Sequence, residues 1–524
     1  MTAAFDVWKE PWIPVLEKDG TTKEYGIRDC LCSAHELEAI IDPSPLIQFG
    51  IYRVLVVMLM DIYDTLNVNN PYEFILDLLE SRKFCEEKLD VYYEKIVGAK
   101  RLDLFDNDYP FLQSAFDKKL DKEEKPVSYL LHHQPSGTNV THFHHVTENE
   151  LALSPAVCAR ALCTFQPFIT TGGAGNAPSI NGVPPLYVLL KGASLFETLC
   201  LNMVWMKPDE RFLGEEPVSW RSNKTVQPKE EREQVTYMEG LTWRPRRVRL
   251  IPSEGGVCTY SNNQSSTLVR KMNFSSGFTA RLKGVWVDPN ASLRITNNGI
   301  GMMTPKEGRE IWRDVGPLLI LHEKDYKYVT KKEEIRYEKP LVLKQYEQIK
   351  REILELLKTE IYGLRTDSKN KYFEWMYEPL NIPGAYNTSE SRRFLVQKTI
   401  EIADQTCYWL KGALKKLTPD SDKDRSYILY AQRSFWDSAK PPFFSFLETM
   451  SSSLEDSNIE KKMMLEWKKQ LIKIANGVLK ETFVKFTETG TDFINQAKAH
   501  HHFWPHFHSL FKNWTVKEEK GVRV

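Results

Sequence analysis

Apolar residues occupy nearly every position from Pro45 to Leu66, which predicts a helix buried on all sides. Its longest purely apolar run, Val54 to Met60, is bounded by Arg53 and Asp61 and is too short to span a bilayer. Upstream, the aromatic stretch Phe5 to Val15 is interrupted by Pro11 and Pro14 and reads as an extended edge segment. Lys18-Asp19-Gly20 predicts a turn and Glu24 to Ile27 a second short strand, and Ser33 is placed to cap a helix opening over Ser33 to Glu38. One or two helices are expected between Asn69 and Lys100. Asp117 to Lys125 has Leu120 as its only apolar residue and reads as a solvated charged stretch. Tyr237 to Pro289 is rich in strand signals. Its segment from Trp243 to Ile251 alternates, so Arg247 and Arg249 should share one face and Val248 and Leu250 the other. Such an arginine face suits either a solvated strand or a ladder turned toward phosphates.

The texture changes from Ile361 onward, where strand signals fade. Four stretches of helical periodicity follow: Thr388 to Leu417, Asp424 to Met450, Ile459 to Thr487 and Asp492 to about Lys512. Their short connections predict an up-and-down antiparallel bundle, with Pro505 expected to kink or break the last helix. The expected fold class is therefore α+β: a large mixed domain over residues 1–364, then a four-helix bundle over residues 365–524.

Between the apolar segments Ala156 to Ile169 and Leu186 to Val204 lies an uncharged loop rich in glycine and small residues, Thr170 to Pro185. Glycine lets backbone approach another surface closely and reaches positive φ at little cost. Such a loop can offer N–H groups to a phosphate, a sugar edge or a groove floor, or can simply be a flexible surface loop. It lacks the Lys-Ser/Thr ending of a Walker loop and the glycine spacing of the dinucleotide fingerprint. Glu197 falls inside a helix-like run, where it could not reach a ribose. No cofactor is expected.

Lysine plus arginine and aspartate plus glutamate both number 70, so the chain is formally neutral. That is not the footprint of a protein that binds nucleic acid alone; local patches or partner subunits must supply the field. The eight cysteines form no C-x-x-C pair, so neither a zinc site nor a disulfide framework is suggested. The opening residues show no basic-then-apolar signal pattern, and a cytoplasmic location is expected. Ten of the twelve histidines fall in two groups, His132 to His145 and His500 to His508. Neither has a cysteine or carboxylate at ligand spacing, and HExxH is absent, so stacking and packing are favoured over a metal site. A metal-dependent nuclease built on these histidines is the alternative reading. G-x-S-x-G is also missing, so no nucleophile stands out.

The ordered motifs resemble the CasA family, large subunits of the type I-E CRISPR surveillance complex Cascade. FDVWKEPWIPV at Phe5 to Val15 is similar to the family's opening, and Tyr109 to Gln113 to its "RPFLQ" segment. LLHHQPSGTNVTHFHH, Leu130 to His145, is similar to its first long loop. Thr170 to Pro185 matches the glycine loop and Leu195 to Asn202 the helix after it. Gly240 to Leu250 is like "LLTWQSRRIRL", and Trp312-Arg313-Asp314 also agrees. The resemblance runs over nearly the whole chain and rests on the order and spacing of these motifs. It implies a subunit without catalytic activity that holds the 5′ end of the guide RNA and reads a short protospacer-adjacent motif in target double-stranded DNA. Such a subunit also helps separate the strands and offers a docking surface to a helicase-nuclease. Its partners are the backbone, 5′-handle-binding and small subunits, with no membrane involved.

On this resemblance the DNA-contacting residues are Gly172, Gly173, Ala174, Gly175 and Asn176 in the glycine loop. A wedge hairpin adds Arg365, Thr366, Asp367, Ser368 and Lys369. The family also uses a lysine in the minor groove, for which Arg270 and Lys271 are the nearest basic residues. The RNA-contacting residues are His133, Ser136, Gly137, Asn139 and Phe143. Ser368 departs from the glutamine usual at the wedge, and Arg365 or Lys369 can take over part of its work. Some relatives carry a cysteine-rich metal knuckle near Cys258, which stands alone here, so no metal is expected.

Overall fold

The structure is a computed structural model that describes residues 3–131, 151–172, 175–205, 217–320, 327–329, 334–349, 356–366, 372–384, 386, 389–418, 426–453 and 456–521. The chain divides into two compact units. The first comprises Met1–Lys306, His322–Glu352 and Leu357–Asn381; the second comprises Glu307–Leu321, Ile353–Leu356 and Ile382–Val524.

The first unit opens with β1 (Ile13–Glu17), β2 (Thr22–Tyr25), α1 (Ile27–Cys32), β3 (Leu37–Ile40), α2 (Pro45–Ile62), α3 (Pro71–Ser81) and α4 (Glu86–Val91). It continues through β4 (Glu124–Pro126), α5 (Pro155–Leu162), α6 (Phe165–Phe168), β5 (Tyr187–Leu190), α7 (Leu195–Asn202), β6 (Glu231–Arg232) and α8 (Tyr237–Leu241). Then come β7 (Arg246–Val257), β8 (Gln264–Ser276), β9 (Thr279–Ala280), β10 (Leu293–Thr296) and β11 (Gly299–Met302). β12 (Lys327–Val329), β13 (Glu334–Glu338), α9 (Leu341–Ile349), β14 (Leu356–Thr366) and β15 (Tyr372–Pro383) complete it.

Helix α2 is the centre of the core. Pro45 fits its first turn, where no helical N–H partner is needed. Its 18 residues are apolar enough to cross a membrane by length alone, yet 83% of that stretch is buried inside the protein. The small sheets of this unit are ordered β2-β1-β3, β4-β8-β7, β15-β14-β5 and β11-β10-β13-β12. The long β7–β8 hairpin carries most of the antiparallel register, from Arg246↔Ser276 to Val257↔Gln264.

Several local expectations are corrected. The segment with Pro14 is not an edge: β1 is the central strand of its sheet. The β3 ladder begins at Val15, one residue past the proline. Ser33 does not open a helix. It ends α1, and the next residues form β3 because Leu37 and Ile40 are buried against β1. Strand signals do not fade at Ile361, since β14 and β15 form a long hairpin. The boundary expected after residue 364 falls inside β14, and the first unit retains the hairpin through Asn381.

The second unit contains four long helices, α10 (Glu390–Leu414), α11 (Ser426–Ser452), α12 (Ser457–Phe483) and α13 (Gly490–Gly521). α10 packs on the other three, and α11 packs on α12. Apolar residues at helical spacing fill this bundle: Val396, Ala403 and Leu410; Phe435, Ala439 and Phe443; Leu471, Ala475 and Leu479. Ser389 caps α10 and Asp456 caps α12, each accepting a backbone N–H of the first turn. Pro505 does not break the last helix: α13 runs through it, with Ala499 and Phe503 buried on the preceding turns. That burial offsets the lost helical hydrogen bond and ring clash, together about 3 kcal/mol. The Trp312-Arg313-Asp314 motif serves this unit. Trp312 is buried against Phe443 and Trp436, and Arg313 pairs with Asp404 (2.5 Å) while its guanidinium lies 3.6 Å over the Trp436 ring.

Candidate nucleic-acid interface

The glycine loop is closed by its own backbone. Gly172 N–H donates to Asn176 O (3.1 Å), making these two residues the neck of a tight turn. Gly175 within that turn has φ +80°, a conformation that disfavours side chains. A Cβ on Gly172 would lie 3.1 Å from Asn176 Cβ and 3.4 Å from Arg246 Nη2, so a side chain at the neck fits only if those neighbours give way by a few tenths of an ångström. Farther along, Ser179 N–H donates to Ile169 O (3.1 Å) and Gly182 N–H to Ser179 O (2.9 Å). The Asn181 amide donates to the Tyr187 hydroxyl (2.8 Å) and to Asp288 Oδ2 (3.0 Å). Asp288 is the buried partner of Arg53 on α2, at 2.8 and 3.0 Å. One half of the loop thus hangs from the core helix. It is a fixed feature, not a loose surface loop.

Arg246, the first residue of β7, holds the other half. Its guanidinium donates to Thr170 O (2.7 Å), to Ala177 O and to Pro245 O (2.9 Å). The side chain is buried, and among the described residues its polar partners are these carbonyls. Burial pushes its pKa down to about 10, so it keeps its charge at neutral pH. A second cation comes close. Lys229, itself at φ +60°, is placed by its N–H bond to Gly277 O (3.0 Å), and a Cβ on Gly175 would lie 3.1 Å from its Nζ.

The β14–β15 hairpin meets the loop at Tyr372, whose hydroxyl accepts from Thr170 Oγ1 (3.1 Å). Toward the end of β14, Arg365 pairs with Glu374 (3.2 Å) and lies 4.7 Å over the Phe373 ring. At the hairpin's base, Glu360 accepts from Tyr362 (2.5 Å) and Tyr377 (3.1 Å) and faces Lys191 (3.7 Å), whose pKa burial lowers.

The structure therefore joins Gly172, Gly175 and Asn176 to the hairpin that carries Arg365 and Thr366. It does not join Arg270 and Lys271 to them. Lys271 lies on β8 five residues from Ser276, the partner of Arg246, or about 17 Å along the strand. Lys271 pairs with Glu124 (2.9 Å), and Arg270 donates to Ser253 Oγ (2.7 Å). Besides Arg246, Lys229 approaches the loop, and no motif spacing marks it in the sequence. Gly173, Ala174, Asp367, Ser368 and Lys369 lie outside the described residues, as do His133, Ser136, Gly137, Asn139 and Phe143.

Neither reading of the Arg247–Arg249 face survives. Both arginines are buried. Arg247 binds Asp121 in a fork, at 2.8 and 2.6 Å, and Arg249 reaches Asn107 Oδ1 (2.9 Å) and the Phe105 and Asp106 carbonyls. The stretch expected to be solvated thus contributes a buried carboxylate. Glu197 belongs to a capping box: Ser194 Oγ accepts its N–H (3.3 Å) and its carboxylate accepts Ala193 N–H (2.7 Å). Gln113 pins β7 by accepting Leu250 N–H (2.8 Å). In the second histidine group, His500 accepts from Trp504 Nε1 (2.7 Å). Among the described residues no three His, Cys, Asp or Glu side chains converge as metal ligands would.

A family model described as CRISPR-associated protein Cse1 matches residues 6–478. This chain belongs to the Cse1 family. The CRISPR-associated protein CasA/Cse1 of Thermus thermophilus is 32% identical over 328 residues, an alignment spanning 60% of this chain and 60% of that relative. A crystal structure of a CRISPR-associated protein from the same organism superposes with TM-score 0.73 at 21% identity, covering 97% of this chain and 100% of that one. A chain from a structure described as a CRISPR RNA-guided surveillance complex gives TM-score 0.74 at 18% identity, covering 97% and 99%. The Cse1 fold, mixed sheets and helices followed by a bundle, is therefore the fold of this chain.

Proposed function

We propose that this Cse1-family chain is the large subunit of an RNA-guided surveillance complex like the one in which its structural relative is found. It acts by binding, without catalysis, in the cytoplasm. The glycine loop reads a short motif in target duplex DNA, and the hairpin beside it helps part the strands. Residues from His133 to Phe143 hold the 5′ end of the guide RNA and neighbouring subunits, and a helicase-nuclease docks once the target is bound. Sequence recognition beyond the motif is left to base pairing. Bare backbone suits the narrow minor groove, whose degenerate code implies a relaxed motif preference. The chain's neutrality fits a subunit whose partners supply much of the phosphate neutralisation.

The observation that carries this reading is the junction at Thr170. One residue of the loop is held by Arg246 through its carbonyl and by Tyr372 of the hairpin through its hydroxyl. A reader and a wedge are thereby tied at one point. The test is a gel shift of reconstituted complex, with and without this chain, on targets differing only in the flanking motif. Motif-dependent binding that requires the chain is expected; equal binding to both targets removes the assignment.

A further inference from the structure

Strand β15 is the edge of its sheet, and three of its residues at alternate positions are aromatic and about half exposed: Phe373 (52%), Trp375 (44%) and Tyr377 (43%). Alternation puts them on one face of the strand. Glu378, Leu380 and Ile382 are buried on the other face, and the aromatics sit toward the end of the strand that begins at Tyr372 against Thr170. Successive rings stand about 6.7 Å apart along the strand. That is about twice the 3.4 Å rise of stacked bases, so a base fits between neighbouring rings.

We propose that Phe373, Trp375 and Tyr377 form a stacking platform for single-stranded DNA, the strand left unpaired beside the glycine loop. The strip is one residue wide. A stable protein partner needs about 800 Å² of surface on each side, but a file of bases needs only a file of rings. β15 starts at Tyr372, in contact with Thr170, so a strand released at the loop lies at the head of the ladder. Arg365 lies over Phe373 and puts a cation beside the first ring, where a phosphate backbone would pass. Stacking on rings is tolerant of sequence, as holding a displaced strand of any sequence requires. The proposal rests on the reading of the loop as a duplex reader, and its test separates the two.

Reconstituted complex carrying the full-length chain is titrated with a fluorescent oligo-dT strand unrelated to the guide and, separately, with duplexes that carry or lack the flanking motif. Trp375→Ala and Phe373→Ala should each weaken oligo-dT binding by about five- to 150-fold, the range for loss of one base–aromatic stack. Trp375→Phe, which keeps a ring, should retain most of the affinity, and duplex binding should hold. Oligo-dT binding that is unchanged in Trp375→Ala overturns the platform. So does an equal loss on duplex, which would mean a damaged loop. Weaker co-purification with the rest of the complex, with oligo-dT binding intact, would make the ladder a protein contact and also overturn it. Wild-type complex that binds both duplexes equally removes the duplex reader while leaving the oligo-dT comparison valid.

Discussion

Adjacent arginines at the start of strand β7, on opposite faces of it, hold two distant loops by different means. On one face Arg247 grips the 105–121 segment through a carboxylate fork with Asp121, both side chains buried. On the other Arg246 grips the glycine loop through carbonyl oxygens alone. A buried ion pair neutralises itself and fixes a segment in place. A buried guanidinium that, among the described residues, meets only carbonyls fixes a loop without neutralising its own charge, and Lys229 approaches the same loop at Gly175. The first arrangement is scaffold. The second leaves a positive field under bare backbone, which is what an approaching phosphodiester would meet.

The comparison breaks most visibly at Arg247. Arg247→Ala would leave Asp121 buried without its partner, and breaking such a pair costs about 3–5 kcal/mol. We expect a clear fall in the denaturant midpoint of the full chain, with motif preference unchanged in whatever folded fraction remains. A mutant as stable as wild type would show that the fork is dispensable.

Arg246→Ala should show the opposite profile. Its loss leaves the Thr170 and Ala177 carbonyls without their donor, a cost of about 1–3 kcal/mol that falls on the loop. Motif-dependent duplex binding should drop at least about tenfold while co-purification with the other subunits persists. Arg246→Lys keeps the charge but not the planar fork and should restore only part of the binding. Full rescue by lysine would mean that charge alone matters.

The elements set by periodicity were legible in the sequence: the core helix Pro45–Ile62, the four helices of the bundle, and the shared face of Arg247 and Arg249. What that face meets was not, because Asp121 lies 126 residues away and its stretch looks solvated when read locally. The glycine loop was visible as composition, but its anchors come from Arg53, Asp288 and Arg246, none of which a local pattern links to it. Lys229 escaped for the same reason, being positioned by a backbone bond to Gly277. β15 contains Pro379 and Pro383, which mask a strand that the alternation of Phe373, Trp375 and Tyr377 does carry. The Ser194-x-x-Glu197 capping box was readable from spacing alone.

Lys229 sharpens the electrostatic side of the comparison. If it faces DNA phosphate, Lys229→Ala should weaken duplex binding by roughly tenfold at low salt and lower the slope of log affinity against log salt by about 0.9. Loss of motif preference without a change in slope would place the ammonium on a base edge in the groove. The equivalent change at Lys271, which is paired with Glu124, should alter neither quantity.

The smallest effect belongs to the bond that ties loop to hairpin. Tyr372→Phe removes one hydroxyl and its contact with Thr170 Oγ1, a neutral hydrogen bond contributing about 0.5–1.5 kcal/mol. Fold stability should barely move. If the bond transmits motif engagement to the wedge, strand separation on a linear, fully paired target should slow by about three- to tenfold. A target already unpaired beside the motif should be unaffected, since the unstacking cost has been removed beforehand. Thr170→Val removes the same bond from the loop side and keeps the shape of the side chain. The two single mutants and the double mutant should then be equally slow, because a bond can be lost only once. Additive defects would mean that Tyr372 and Thr170 act separately, and that this bond does not couple the hairpin to the loop.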